Sequence, residues 1–171
     1  MRAARIIPCA LAVLCSGAAA PAAEPAPADA ARGEYLVVIM ECGGCHTAGA
    51  LRGQRRQDRD LAGSEVGLGY TDADGRPGAV FPPNLTSDPE TGLGKWSDQQ
   101  ILDAFRHGRR PDGRMLSPAM PWPAYGSRLT EADAWAIVAY LRTLPPVPFR
   151  APANFAPGET PTGPYMIVVG D

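Results

Sequence analysis

The feature that most constrains this chain is Cys42-Gly-Gly-Cys45-His46, which gathers two of its four cysteines and one of its two histidines into five consecutive residues. Cys-x-x-Cys-His is the spacing of a covalent attachment site for c-type haem. Two thiols one helical turn apart reach the two vinyl groups on one porphyrin edge, and the imidazole beside the second thiol falls under the iron. In a chain of this composition the pattern arises by chance on the order of 0.001 times. Three other readings compete with it. A redox dithiol wants a strand-turn-helix context, whereas a Gly/Arg-rich loop follows His46. A structural zinc site needs four ligands with a second pairing pattern, and outside the first 23 residues only His107 is added to these three. A disulfide between Cys42 and Cys45 would close a very small loop and stabilise little.

The N-terminus explains the other two cysteines. Met1-Arg-Ala-Ala-Arg5, an apolar run from Ile6 to Leu14 and small residues through Ala20 read as a signal peptide spanning residues 1–23. Its cut falls between Ala19 and Ala23 and removes Cys9 and Cys15. Lipidation at Cys15 is disfavoured because Leu14, ahead of it, is large. Residues 1–23 hold Arg2 and Arg5 and no acid, so the formal charge moves from -2 to -4. That charge argues against general nucleic-acid binding. No later apolar run approaches the ~20 residues of a membrane span, so an exported, soluble, periplasmic protein is expected. Residues 24–31 read as a flexible Pro/Ala leader.

A haem iron with an open sixth position binds small ligands, whereas Met or His there makes an electron carrier. The candidates are Met40, Met115, Met120, Met166 and His107. Pro118, Pro121 and Pro123 fix the backbone around Met120, and nothing beside it favours a helix. The rigid frame favours Met120 as ligand over the ordinary role of a methionine as gap-filler, with Met115 the next candidate. His107 falls among Arg106, Arg109 and Arg110, at a basic helix end.

Hydrophobic periodicity gives three helices. The first runs from about Ala30 to Met40, with Tyr35, Leu36, Ile39 and Met40 as its stripe. The second begins at Ser97, with Gln100 completing a capping box, carries Ile101, Leu102 and Phe105, and stops at Gly108. The third begins at Thr130, carries Ala134, Ile137, Val138, Leu141 and Leu144, and ends at Pro145-Pro146. The expected fold is all-α, with three main helices and long loops around one haem. Gly and Pro number 19 each, and more than fifty residues with little helical periodicity lie between the first two helices, where a cofactor must supply the core. Within that loop Arg52, Arg55, Arg56 and Arg59 read as a solvated face. Asp72-Ala-Asp74-Gly75 lacks the closing Glu of a calcium loop and reads as a hairpin turn.

Arg32-Gly-Glu-Tyr-Leu36, the haem motif, Leu61-Ala-Gly63, Pro83-Asn-Leu-Thr86, Asp88-Pro-Glu-Thr-Gly-Leu-Gly94, Trp96-Ser97, Arg110-Pro-Asp-Gly-Arg114, Pro118-Ala-Met-Pro-Trp122, Tyr125 and Ala139-Tyr-Leu-Arg-Thr-Leu-Pro-Pro146 together resemble the class I cytochromes c. More closely, they are similar to small periplasmic cytochromes and to haem domains in the cytochrome subunits of bacterial alcohol and aldehyde dehydrogenases. The resemblance places the cytochrome domain at residues 32–147 and leaves 148–171 as a Pro-rich tail with one short edge strand. It implies a single haem c on Cys42 and Cys45, with His46 and Met120 as axial ligands and Asn84, Thr86, Trp96 and Tyr125 lining it. The function expected is one-electron transfer between a dehydrogenase and a terminal oxidase or another cytochrome, without substrate chemistry. The rival is a haem enzyme or a gas or redox sensor with a labile distal iron site. A non-haem interaction module is the third reading.

Overall fold

The computed structural model describes residues 27–167. The signal peptide expected at 1–23 lies outside them. Among the described residues the chain forms α1 (Pro27–Ile39), α2 (Cys42–His46), α3 (Asp98–His107), α4 (Trp122–Arg128) and α5 (Glu131–Thr143), with β1 (Gly67–Thr71), β2 (Pro77–Val80) and β3 (Tyr165–Met166).

α1 starts inside the expected leader because Asp29, Ala30 and Ala31 suit a helix, the acid lying in its first turn. Its buried face is Gly33, Leu36 and Val37, with Met40 half-buried, whereas the expected stripe residues Tyr35 and Ile39 are exposed. Gly33 sets that rotation. A Cβ there would stand 1.9 Å from the Ala136 carbonyl oxygen of α5, so the two helices touch through backbone. α5 buries Ala134, Ile137, Val138 and Leu141 as its periodicity predicts. Arg32 donates to Asp133 at 2.9 Å across the same crossing.

α3 begins with the full Ser97–Gln100 capping box and ends at Gly108 in the left-handed region. Ile101, Leu102 and Phe105 join the core of α1 and α5. Arg142 of α5 ties down the turn before α3, bonding Asp98 Oδ1 at 2.6 Å, the Leu93 carbonyl at 3.1 Å and the Trp96 carbonyl.

Two features correct the expectation of an all-α, three-helix domain. First, β1 and β2 form an antiparallel hairpin with Leu68 opposite Val80, and β3 adds to β1 in parallel, giving the order β2-β1-β3. The hairpin closes through Asp72, whose carboxylate accepts from the Asp74 and Arg76 amides and from Arg76 Nε. The segment is too short and Gly-rich for helical periodicity, and the tail supplies its third strand. Phe81 and Phe155, with Ala79 of β2 and with Tyr165 packed beside them, form a second small core against this sheet. Second, α4 starts two residues after Met120, where no helix was expected. Pro123 falls in its first turn, where a missing N–H costs nothing.

Replacing Gly33 by Val forces α1 off α5. The expected outcome is a loss of about 1–3 kcal/mol or more of stability, read as a lower thermal midpoint by circular dichroism with helix content retained below it.

Candidate functional site

α1 delivers the chain into the motif through Glu41, a non-glycine residue with φ of 55° that turns the backbone directly into α2. The motif is itself the short helix expected of it, so Cys42 and Cys45 lie one turn apart. Both are free, half-buried thiols. Burial pushes the Cys42 thiol up to about 11, and burial also raises Cys45. Neither is the activated thiolate of a redox dithiol. Among the described residues no group of three or more His, Cys, Asp or Glu is placed to hold a metal ion, so the motif does not converge on a single zinc.

His46 is buried at 7% exposure. Its Nδ1 lies 2.8 Å from the Pro83 carbonyl oxygen and donates to it, while Nε2 makes no hydrogen bond among the described residues. Burial holds its pKa below the ordinary value, against the opposing pull of the Pro83 bond. A neutral imidazole with one nitrogen oriented by a backbone carbonyl and the other uncommitted is the state in which histidine binds iron.

The chain around His46 is braced by its neighbours. Thr47, fully buried, donates to Asp60 Oδ1 at 2.7 Å and accepts from the Leu61 amide. Gly63 N donates to the His46 carbonyl at 2.7 Å. Arg52, Arg55 and Arg56 are exposed, as expected of a solvated face, and pair locally with Glu65, Asp60 and Asp58, while the half-buried Arg59 stacks 3.9 Å over the Phe149 ring.

On the other side, the loop after α3 carries the methionines. Met120 is half-buried against the main core, whereas Met115 is 57% exposed. Met166 is on the exposed edge strand and His107 is exposed at the end of α3. Tyr125, on α4, stacks on Phe105 with centroids 5.5 Å apart. Its phenol is raised by burial and then by the nearby Cys42 and Cys45. Trp96 packs at the same core edge with Arg110 over its ring at 5.3 Å. Trp122, unremarked in the sequence beyond its motif, donates from Nε1 to the Leu116 carbonyl and closes over Gly108, which fixes the Met loop to the end of α3.

Asn84 is buried, and its amide is fully used by the chain. Nδ2 donates to the Val147 carbonyl, Thr91 Oγ1 and the Phe149 carbonyl, and Oδ1 accepts from the Thr86 amide and hydroxyl. Thr86 in turn accepts from the Val147 amide. Asp88 closes the same loop by accepting from the Glu90 and Thr91 amides and the Thr91 hydroxyl.

The residues present fit a covalent haem: two free thiols on one helical turn, a buried imidazole with one nitrogen oriented and one uncommitted, and a thioether brought in by a separate loop. Fold and site therefore define a small helical domain of the c-type haem-attachment class. Residues 30–145 match the cytochrome c family, and the chain belongs to that family, which carries haem c covalently. It is 36% identical over 140 residues to the fructose dehydrogenase cytochrome subunit of Gluconobacter japonicus, a match covering 78% of this chain and 26% of that one. It is 36% identical over 109 residues to the cytochrome c subunit of a quinone alcohol dehydrogenase from Gluconacetobacter polyoxogenes, covering 64% and 20%. A diheme cytochrome c-type protein of Cereibacter sphaeroides is 32% identical over 118 residues, covering 69% and 37%. The chain thus spans about a quarter of the length of the first of these relatives.

Asp88 gives the loop a pH dependence. Its hydrogen bonds from Thr91 hold its carboxyl below the ordinary value, so the stability it contributes is full above the unfolded-state pKa of about 4 and is lost as pH falls through the depressed folded pKa. The thermal midpoint of the wild type should therefore fall more steeply than that of Asp88→Asn as pH drops below about 4. Parallel curves for the two proteins would show that Asp88 does not contribute in this way.

Proposed function

We propose that this chain is an exported, periplasmic, single-haem cytochrome that carries one electron between a dehydrogenase and a downstream acceptor, a terminal oxidase or another cytochrome. Cys42 and Cys45 would hold the porphyrin covalently, and His46 and Met120 would ligate its iron. When bound, the haem supplies a one-electron Fe(III)/Fe(II) couple. The observation that carries this reading is the buried His46, with Nδ1 committed to Pro83 and Nε2 left for a metal.

The remaining residues have supporting roles. Trp96 and Tyr125 supply apolar and aromatic surface beside the thiols and exclude water from the site. Asn84 and Thr86 keep the Pro83 loop in place. A thioether from Met120 is a weak donor to Fe(III), which raises the potential and leaves no position for a substrate. Partnership with a dehydrogenase is supported by relatives whose names are those of dehydrogenase cytochrome subunits. Among the described residues no helix is long and apolar enough to cross a membrane.

The test is to express the chain with cytochrome maturation machinery and purify it from the periplasm. Haem should remain on the polypeptide in a denaturing gel at one iron per chain, and the ferric protein should show the weak far-red sulfur-to-iron absorbance band. Met120→Ala should abolish that band and Met115→Ala should leave it. The opposite result transfers the ligand role to Met115, and a polypeptide that stains for no haem refutes the proposal.

A further inference from the structure

The tail after α5 makes a set of contacts that electron transfer alone does not call for. Residues 147–149 are bound to the loop that carries Pro83, and Pro83 is the acceptor for His46 Nδ1. We propose that Asn84 is a positioning residue for His46, working from residues 147–149 of the C-terminal tail as its anchor. This rests on the reading of His46 as an iron ligand.

The Pro83 loop is held from two sides. On its inner side, Ser64 N donates to the Pro82 carbonyl at 3.0 Å and Leu85 N donates to the Leu61 carbonyl at 2.9 Å. Gly63 lies so close that a Cβ would stand 3.0 Å from Asn84 N, so this side already touches backbone to backbone. The inner bonds tie the loop at Pro82 and Leu85, on either side of Pro83 and Asn84.

The outer side is the tail. Asn84, next to Pro83, sends Nδ2 to the Val147 carbonyl at 2.8 Å, with Thr91 Oγ1 at 3.0 Å and the Phe149 carbonyl at 3.3 Å. The tail answers with its own amides: Val147 N donates to Thr86 Oγ1 and Phe149 N to Thr91 Oγ1, each at 3.2 Å. Arg59 stacks on the Phe149 ring, and Arg150 donates to the Glu90 carbonyl at 3.1 Å. Asn84 is 2% exposed and Thr86 1%, so breaking this network leaves polar groups buried without partners.

The consequence for the iron follows from the acceptor. An Nδ1–H bond to a well-placed carbonyl raises the basicity of the imidazole and favours Fe(III). Letting the loop lift lengthens that bond, makes His46 a poorer donor and raises the reduction potential. The tail, which touches no ligand, thereby enters the potential through Asn84 and Pro83.

The experiment uses the mature holoprotein and compares Asn84→Ala, Thr91→Val and Ser87→Ala with the wild type. Thr91→Val cuts one arm of the network and keeps the test open should Asn84→Ala fail to fold. Ser87→Ala removes a 2.7 Å bond from the same loop to the Leu144 carbonyl, outside the network, and serves as the structural control. Three quantities are read: the thermal midpoint, the reduction potential and the exchange rate of the His46 Nδ1 hydrogen in the ferrous protein. We expect all three variants to lower the midpoint. Only Asn84→Ala and Thr91→Val should raise the potential and speed the exchange, by about tenfold or more. If they behave like Ser87→Ala, the tail is a strap for stability only and the proposal is overturned. A His46→Ala protein that keeps the wild-type ferrous and ferric spectra would instead refute the assignment of His46, which is a separate failure.

Discussion

A helix that carries glycine at position 33 can lie with its backbone against the Ala136 carbonyl of α5, and any larger residue would occupy that room. The close crossing decides which face of α1 is buried and so where its C-terminal end emerges. Glu41 then turns the chain at once into α2, so the positions of Cys42, Cys45 and His46 are inherited from a contact more than two helical turns away. α3 packs on the same pair of helices, and its Gly108 end, covered by Trp122, carries the Met120 loop.

Around this frame the protein buries several polar side chains, and most of them serve the histidine. Thr47 fixes the backbone beside His46 by bonding Asp60 and Leu61, and Pro83 orients the ring. Asn84, Thr86 and Asp88 satisfy one another and the tail. A buried network of this kind stabilises only when every member has a partner, which makes it a demanding but well-determined way to hold a buried histidine. The apolar side of the site is looser, made of half-buried Met120, Trp96 and Tyr125 at the rim of the core.

Much of this was legible in the sequence where the signal is local. The Cys-x-x-Cys-His spacing, the Ser97–Gln100 capping box, Gly108 and the stripe of α5 are each read within a few residues, and the structure has them as expected. The rotation of α1 was not legible, because a continuous apolar run from Tyr35 to Met40 offers more than one face and only the partner helix chooses between them. α4 was hidden by three prolines that suggested an extended loop, although Pro123 suits a first turn. The hairpin at Asp72–Gly75 and the short strand of the tail were each read from the sequence, but their pairing into one sheet was not, because almost a hundred residues separate β3 from β1. The role of Pro83 as acceptor for His46 was equally unreadable, since 37 residues separate them and no side chain advertises the bond. Asn84 was read as a haem-lining residue from resemblance, and the bonds of its amide to Val147 and Thr86 could not be read from the sequence.

The central claim is that the iron of this cytochrome is held on both faces by the protein and therefore moves electrons and binds no substrate. Carbon monoxide tests it most directly. The ferrous holoprotein at neutral pH, mixed with the gas, should keep its absorbance spectrum, because a bound thioether and imidazole leave no free position. Rapid formation of a carbonyl complex by the wild-type protein would contradict the account and make the iron a ligand-binding centre.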